Sequence, residues 1–485
     1  MPGSRSAPRG AVGSGLLTGV STAAVSGSAA VAGAVLSRKF GHGEKTDGFF
    51  AVYAVYLALV LVASVVRVVV LPRFVRAHED GRLGGEVGTW LLGLTLPAAP
   101  LLALSLAWPD GPARLLTSDA AARHTAAELL PWLVPAAAAQ IYAGILASAL
   151  ATFDDYGTAA LGFGGGSLGG LALIVALAGH GVAAWGWGLA LSGAVALALP
   201  LVALGAKRGI GLPDERVGRR VVELGEGIAL PVALQLMFVI GLRFAAGLGT
   251  GKPTTLSYAY LIAAFLVAVT ASSVALVSTV PFARAGSSPE RAVRHVVAAS
   301  WLSLVVVTAV VGMFGLAGQT LVRWGLGTSY RGGTGEQLGR LVVYLAPWMV
   351  ASVALSIAFP LVFVRGRARW LPLLAAGAVT ASVLAEWGGR AAFGLAGIAG
   401  GLALTTALVL AVVLARLDAL RGTSQGVLVA ACVCAGVALA AFGMSRAVLT
   451  GVPAAALGLV LYSVAMLVWR PPGLRAAWAY VRALY

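Results

Sequence analysis

Gly48-Phe-Phe-Ala-Val-Tyr-Ala-Val-Tyr-Leu-Ala-Leu-Val-Leu-Val-Ala-Ser-Val-Val66 contains no charged side chain. As a helix, a stretch of this length matches the ~30 Å hydrocarbon core of a bilayer. The same texture recurs along the whole chain. Of 485 residues, 59% are hydrophobic and only 11% charged. Soluble domains carry roughly 25% charged residues. Mean hydropathy is +0.92. So little charge cannot cover the surface of a soluble protein this large. The composition therefore describes an all-α polytopic membrane protein.

Fourteen segments are long and apolar enough to span. They begin at 14–36 and 48–71 and include 224–249, 254–280, 341–363, 371–389 and 392–415. They close with the pair 426–444 and 450–469. The runs are rich in Ala, Val, Leu and Gly and lack the period-two alternation of a barrel strand. The first is the least apolar. Its A-x-A-like triplets resemble a signal peptide, but so weakly apolar a span better suits a helix facing protein or a water-filled cavity. With the N-terminus inside, the inside segments hold about twice as many Lys and Arg residues as the outside loops. That bias and the even span count predict both termini in the cytoplasm.

The most basic loop, Lys207-Arg-Gly-Ile-Gly-Leu-Pro-Asp-Glu-Arg-Val-Gly-Arg-Arg220, is also the most central. It divides the chain into an N-lobe of six spans (1–206), a linker (207–223), a C-lobe of six spans (224–415) and a final pair with a tail (416–485). Transporters are often built from two such halves around a central cavity.

Net charge is +16. In a membrane chain this reflects basic inner loops. No nucleic-acid motif accompanies it, so nucleic acid is not an expected partner. No HExxH or Walker lysine motif is present, and an enzyme, a metal site and a bound cofactor are not expected. Cys432 and Cys434 read as small packing residues. Gly164-x-Gly166-x-x-Gly169 matches the dinucleotide pattern only formally. No strand precedes it, so Gly164, Gly165, Gly166, Gly169 and Gly170 read as a close-packing surface.

Charges inside spans are the first candidates for function. Arg67 and Arg243 are the basic residues that fall within them. Each can snorkel to the headgroups or hold an anionic group. Glu386 and Arg390 are i,i+4 and read as a surface ion pair at the outer end of the eleventh span. No carboxylate is expected deep in any span. Arg219 and Arg220 suit the inner headgroups, and Glu223 and Glu226 suit a helix N-terminus. Asp154 and Asp155 suit an N-cap. Thr46-Asp47 suits one as well, and Asp47 is equally placed for gating.

The first hairpin, Leu36-Ser-Arg-Lys-Phe-Gly-His-Gly-Glu-Lys-Thr-Asp-Gly-Phe-Phe50, resembles the R-x-F-G-x-G-x-x-T-D-A-F-F segment of the MviN/MurJ lipid II flippase family. Arg38, Phe40, Gly41, Gly43, Thr46, Asp47, Phe49 and Phe50 stand in the matching places. A second similarity runs from Ser257-Tyr-Ala-Tyr260 to Thr279-Val-Pro-Phe282. The resemblance implies two lobes around a central cavity, as in the multidrug/oligosaccharidyl-lipid/polysaccharide (MOP) exporter superfamily. It implies transfer of a polyprenyl-diphosphate-linked saccharide from the inner to the outer leaflet. The family carries arginines in its first, second and eighth helices. Here residues 13–36 have no basic side chain, Leu261 stands at the eighth-helix position, and Arg67 lies two turns beyond the second-helix position near Val60.

The expected function is thus a flippase of a lipid II-like precursor in a bacterial inner membrane. Membrane potential or a coupling ion, H+ or Na+, would drive it. The substrate and cavity candidates are Arg38, Asp47, Arg67 and Arg243. The expected partners are membrane lipid and the lipid-linked saccharide or another amphipath. Two alternatives remain: an exporter of small amphipathic molecules, related to the multidrug and toxic compound extrusion (MATE) transporters, and a non-transporting, flippase-like scaffold.

Overall fold

The computed structural model describes residues 9–207, 209–213, 217–272, 288–364 and 369–482. Every regular element among them is a helix. Eleven are long and apolar enough to cross a membrane. Two more, α11 (Gly333–Tyr344) and α12 (Ala346–Val364), pass the same test only as a pair, joined at a bend of 43°.

Helix α13 (Leu371–Arg416) has 46 residues, about 69 Å of helix, far more than a ~30 Å core needs. It folds back on itself at Gly394, whose φ of 60° and ψ of −131° suit only glycine. Gly389 and Gly397 then meet backbone to backbone, leaving no room for a Cβ on either. Two arms result, as the expected spans 371–389 and 392–415 require. The less apolar α1 (Arg9–Phe40) covers the expected span 14–36 but is not among the eleven.

The chain forms two compact units, Met1–Val239 and Ile240–Tyr485. In the first, α2 (Glu44–Glu79), α5 (Ala120–Ala151) and α7 (Ala183–Ala206) pack with the segment carrying Trp90 around Phe74, Trp90, Ile145 and Leu204, and α6 (Tyr156–Leu177) packs on α7. Helix α1 packs on α6. The Ser21 hydroxyl donates to the Ala160 carbonyl at 2.9 Å, and Trp185 Nε1 donates to the Ala32 carbonyl at 3.1 Å. In the second unit, α10 (Pro289–Leu326) is the hub for α14 (Leu420–Val448), α15 (Gly451–Trp469) and α16 (Pro472–Arg482). Trp301, Leu304, Phe442 and Tyr462 form its core.

The glycine-rich segment of α6 is only partly a packing surface. An alanine Cβ would stand 2.7 Å from the Ser192 carbonyl at 166 and 2.5 Å from the Gly188 carbonyl at 170. Gly164 faces Ser21 instead, and Gly165 and Gly169 face open space. The expectation therefore holds for three of the five glycines. Positions 166 and 170 are one turn apart and share the face that meets α7.

The central loop is docked. Gly211 N–H donates to the Gly84 carbonyl at 2.9 Å, at the start of α3 (Leu83–Ala107). Lys207 pairs with Asp155 at 2.9 Å, and Asp155 caps α6 by accepting from Thr158 N–H, as the sequence suggested. Arg220 is not at the headgroups. It is buried beneath α3, pairing with Glu86 at 2.9 Å and with Glu223 at 3.0 Å. Trp90 Nε1 donates to the same Glu86 at 2.8 Å, and Arg73 joins through Glu223 at 2.9 Å. A buried arginine is tolerated here because two carboxylates share its fork. The network ties the start of α8 (Val217–Ala246) to α2 and α3.

Candidate transport site

Arg38 and Asp47 flank the turn between α1 and α2 at Gly41, where φ is 65°. Arg38 is exposed and Asp47 buried. The N-cap of α2 is Gly43, not Thr46-Asp47. Thr46 Oγ1 accepts from Gly43 N–H and donates to the Gly43 carbonyl, both at 2.8 Å. Asp47 thus sits one turn inside, where its charge favours the helix N-terminus.

Arg67 is twenty residues further along α2, about 30 Å away at helical rise. That places it near the far edge of a bilayer core, away from Asp47. It is exposed, its guanidinium carbon 5.8 Å from the Phe163 ring, with its stem against Gly144. Between these ends α2 carries an aromatic stack that is largely buried. Phe49 and Tyr53 lie 5.1 Å apart and Tyr53 and Tyr56 5.6 Å apart, each pair nearly parallel. Arg243 belongs to the other unit and is half-buried in the last turn of α8. The four candidates are therefore spread over both units and both ends of a span. The proline-ended part of the second family similarity, Thr279–Phe282, lies outside the described residues.

Among the described residues, the most buried acidic or basic side chain is one that sequence reasoning placed at the surface. Glu386 is fully buried in the first arm of α13. It does not pair with Arg390, which instead donates to the Gly247 carbonyl at 3.0 Å. Ser382 Oγ donates to Glu386 Oε1 at 2.5 Å. Oε2 has no hydrogen-bond partner among the described residues. A Cβ built on Gly241 of α8 would stand 3.0 Å from that oxygen. Gly401, on the second arm, backs onto the Ala385–Glu386 peptide, where a Cβ would stand 2.8 Å away. Three helical segments therefore enclose one carboxyl group. The eleventh span was expected to end at 389, which left Glu386 at a boundary. In fact the arm continues to Gly394 and the second arm folds over it. The only signal in the sequence was Ser382-x-x-x-Glu386, an i,i+4 polar pair inside an apolar run.

The second unit also holds a groove of about 820 Å³ between α10, α12, the second arm of α13 and α14. Val311, Val350, Leu410, Leu428, Ala435 and Leu439 line it. From Ser424 to Arg446 on α14 it follows the helix for about 33 Å. At Arg446 it adjoins a polar pocket of about 460 Å³ bordered by Gln319, Arg340 and Thr450. Cys434 is buried and serves packing, whereas Cys432 is exposed on the groove. Among the described residues no group of three or more His, Cys, Asp or Glu side chains is placed to hold a metal ion.

No protein-family model and no curated protein matches the sequence. Solved structures do. The lipid II flippase MurJ in an inward closed conformation superposes with a TM-score of 0.75 over 94% of this chain and 99% of that one, at 12% identity. The chain has the fold of the MOP-superfamily transporters. A MATE transporter of that superfamily in its inward-facing conformation matches with a TM-score of 0.63 at 15% identity, over 82% of this chain and 95% of that one. An outward-facing MATE structure matches with a TM-score of 0.61 at 16% identity, over 86% and 94%. At such identities the MOP likeness lies in the arrangement of helices. The chemistry must be read from this chain's own side chains.

Proposed function

We propose that this protein is a flippase that moves a lipid-linked saccharide precursor from the inner to the outer leaflet of a bacterial inner membrane by alternating access. The observation that carries the lipid-linked reading is the groove along α14. Its ~33 Å length matches a chain that traverses the whole ~30 Å core. A small drug has no use for a groove of that length. Arg446, at one end, supplies a fork for a diphosphate.

In this reading both termini are cytoplasmic, and residues 1–206 and 224–415 are the two moving lobes. Within the first unit Arg67 meets the headgroup near the inner edge and Arg38 and Asp47 meet it near the outer edge; Arg243 is the candidate in the second unit. Glu386 is the coupling group. A lone ionised carboxylate inside a membrane protein is costly, so it takes a proton or a cation, and exchange of that partner drives the cycle. A non-transporting scaffold has no need of such a group. No catalytic step is required.

Depletion of the protein should make polyprenyl-linked intermediates accumulate on the inner face. The unaltered chain should relieve the block. Ala435→Trp, which fills the groove, should not. Absence of accumulation would overturn the assignment. A second reading, export of small amphipathic molecules, draws on the likeness of the fold to MATE transporters. It predicts altered drug susceptibility on deletion with precursor traffic unchanged.

A further inference from the structure

Helix α15 ends at Trp469, and α16 begins only two residues beyond Arg470. Arg470 adopts a left-handed conformation, φ 42°, and Pro471 and Pro472 follow it, so the chain turns sharply where the span stops. Because α15 spans the bilayer, this short connection holds α16 at the membrane surface. Its residues divide into two faces. Leu474 and Ala477 are buried against the second unit's core, Gly473 packs flat on Trp301, and the Tyr480 hydroxyl lies 3.3 Å from His295 Nδ1. The other face presents Arg475, Trp478 and Arg482, at i, i+3 and i+7, all exposed. Trp478 is 55% exposed, which is unusual for the largest apolar side chain on a helix that faces water. Tryptophan settles instead at the headgroup level of a bilayer.

The charge carried by α14, α15 and α16 has one sign, and the acidic side chain at the start of α10 is Glu290. Residues 419–485 contain no Asp or Glu. Arg470, Arg475 and Arg482 therefore have no acidic neighbour on α14, α15 or α16. Arg294, exposed on α10, adds its charge beside Tyr480. The Nε groups of Arg470 and Arg475 donate to the carbonyls of Leu467 and Arg470. These bonds fix the stems and leave the guanidinium ends for an external anion. Headgroup phosphates are the anions at this depth, and a basic helix with an exposed tryptophan is the kind of element that binds them.

We propose that α16, together with Arg470 and Arg294, is a docking surface for the anionic phospholipid headgroups of the leaflet at which α15 ends. The helix packs its inner face on α10, and its outer face recruits negatively charged lipid around the second unit.

The test uses the full-length protein with Cys432→Ser and Ala479→Cys, an environment-sensitive fluorophore on the new thiol, and reconstitution into phosphatidylcholine vesicles. Brominated phosphatidylglycerol should quench the label more strongly than brominated phosphatidylcholine. That preference should fall about fivefold for each arginine neutralised, in Arg475→Gln and Arg482→Gln. Raised salt should reduce it in the protein with both arginines present, which needs no arginine substitution. Equal quenching by the two lipids would overturn the proposal. So would free access of aqueous iodide to the label. Shielding from both lipid and iodide would show that a protein or a second copy covers the face, and would overturn it equally.

Discussion

Gly241 leaves the space that the Glu386 carboxyl group occupies: a Cβ on Gly241 would stand 3.0 Å from Oε2. The two residues lie on different helices, α8 and the first arm of α13, and their approach makes Glu386 an interior group. Gly241→Ala should therefore force the carboxyl group aside. Overpacking of a close contact costs about 1–3 kcal/mol. A lowered unfolding temperature in detergent checks this. Gly225→Ala, on the same helix but facing open space, is the control and should not destabilise.

Glu386→Gln preserves the size of the side chain and removes its charge. Thermal stability should hold while transport falls at least tenfold, the loss that follows from removing about 1.4 kcal/mol of coupling. Transport by the reconstituted variant under an imposed ion gradient is the measurement. An unchanged rate would remove Glu386 from the mechanism.

The α6–α7 contact separates two adjacent glycines. Gly170→Ala would bring a Cβ to 2.5 Å from the Gly188 carbonyl oxygen, whereas Gly169→Ala meets nothing within 4 Å. The first should cost about 1–3 kcal/mol. The second should be neutral or slightly stabilising, because alanine restricts the unfolded chain. Paired thermal melts of the two variants decide it.

Arg220 stands between Glu86 and Glu223. Arg220→Met should leave the buried Glu86 short of its partner and cost about 3–5 kcal/mol. Arg220→Met with Glu86→Leu should recover much of that loss, because a well-packed apolar pair replaces the ions. Unfolding temperatures of the single and double variants provide the comparison.

Asp155 is held below the usual carboxylate range, chiefly by its hydrogen bond with Lys207. A depressed folded-state pKa adds stability above the unfolded value near 3.9, and that stability is lost as pH falls through the folded value. The pair is partly exposed, with side chains 34% and 22% accessible, so its share is below about 1 kcal/mol. Asp155→Asn should therefore lower the unfolding temperature modestly at pH 7, with the difference from wild type narrowing below pH 4. A constant difference across pH would assign the effect to the N-cap alone.

Much of this protein was legible without coordinates. A segment such as 48–66 cannot be anything but buried in lipid or protein, and the polytopic helical architecture followed by repetition of that argument. The Asp155 cap and the packing of Gly164, Gly166 and Gly170 were also readable, since caps and helix faces are set by neighbours within one turn. Gly165 and Gly169 were misread because composition marks a glycine-rich helix without saying which side meets a partner.

The charged residues divide in the same way. Which residues carry charge, and roughly which helix holds each, is local information and was determined by the sequence itself. Whether a charge ends in water, at a headgroup or inside the protein depends on contacts between distant segments. Arg220 became buried because α3 supplies Glu86, 134 positions away. Glu386 became interior because Gly394 turns the chain and returns Gly401 over it, while Gly241 approaches from α8. An i,i+4 spacing with Arg390 promised an ion pair, but the Gly247 carbonyl took the guanidinium instead. The sequence by itself determined an all-helical polytopic membrane protein. Only the tertiary structure decided which carboxylates lie at its interior, because burial is a property of packed helices and not of any one of them.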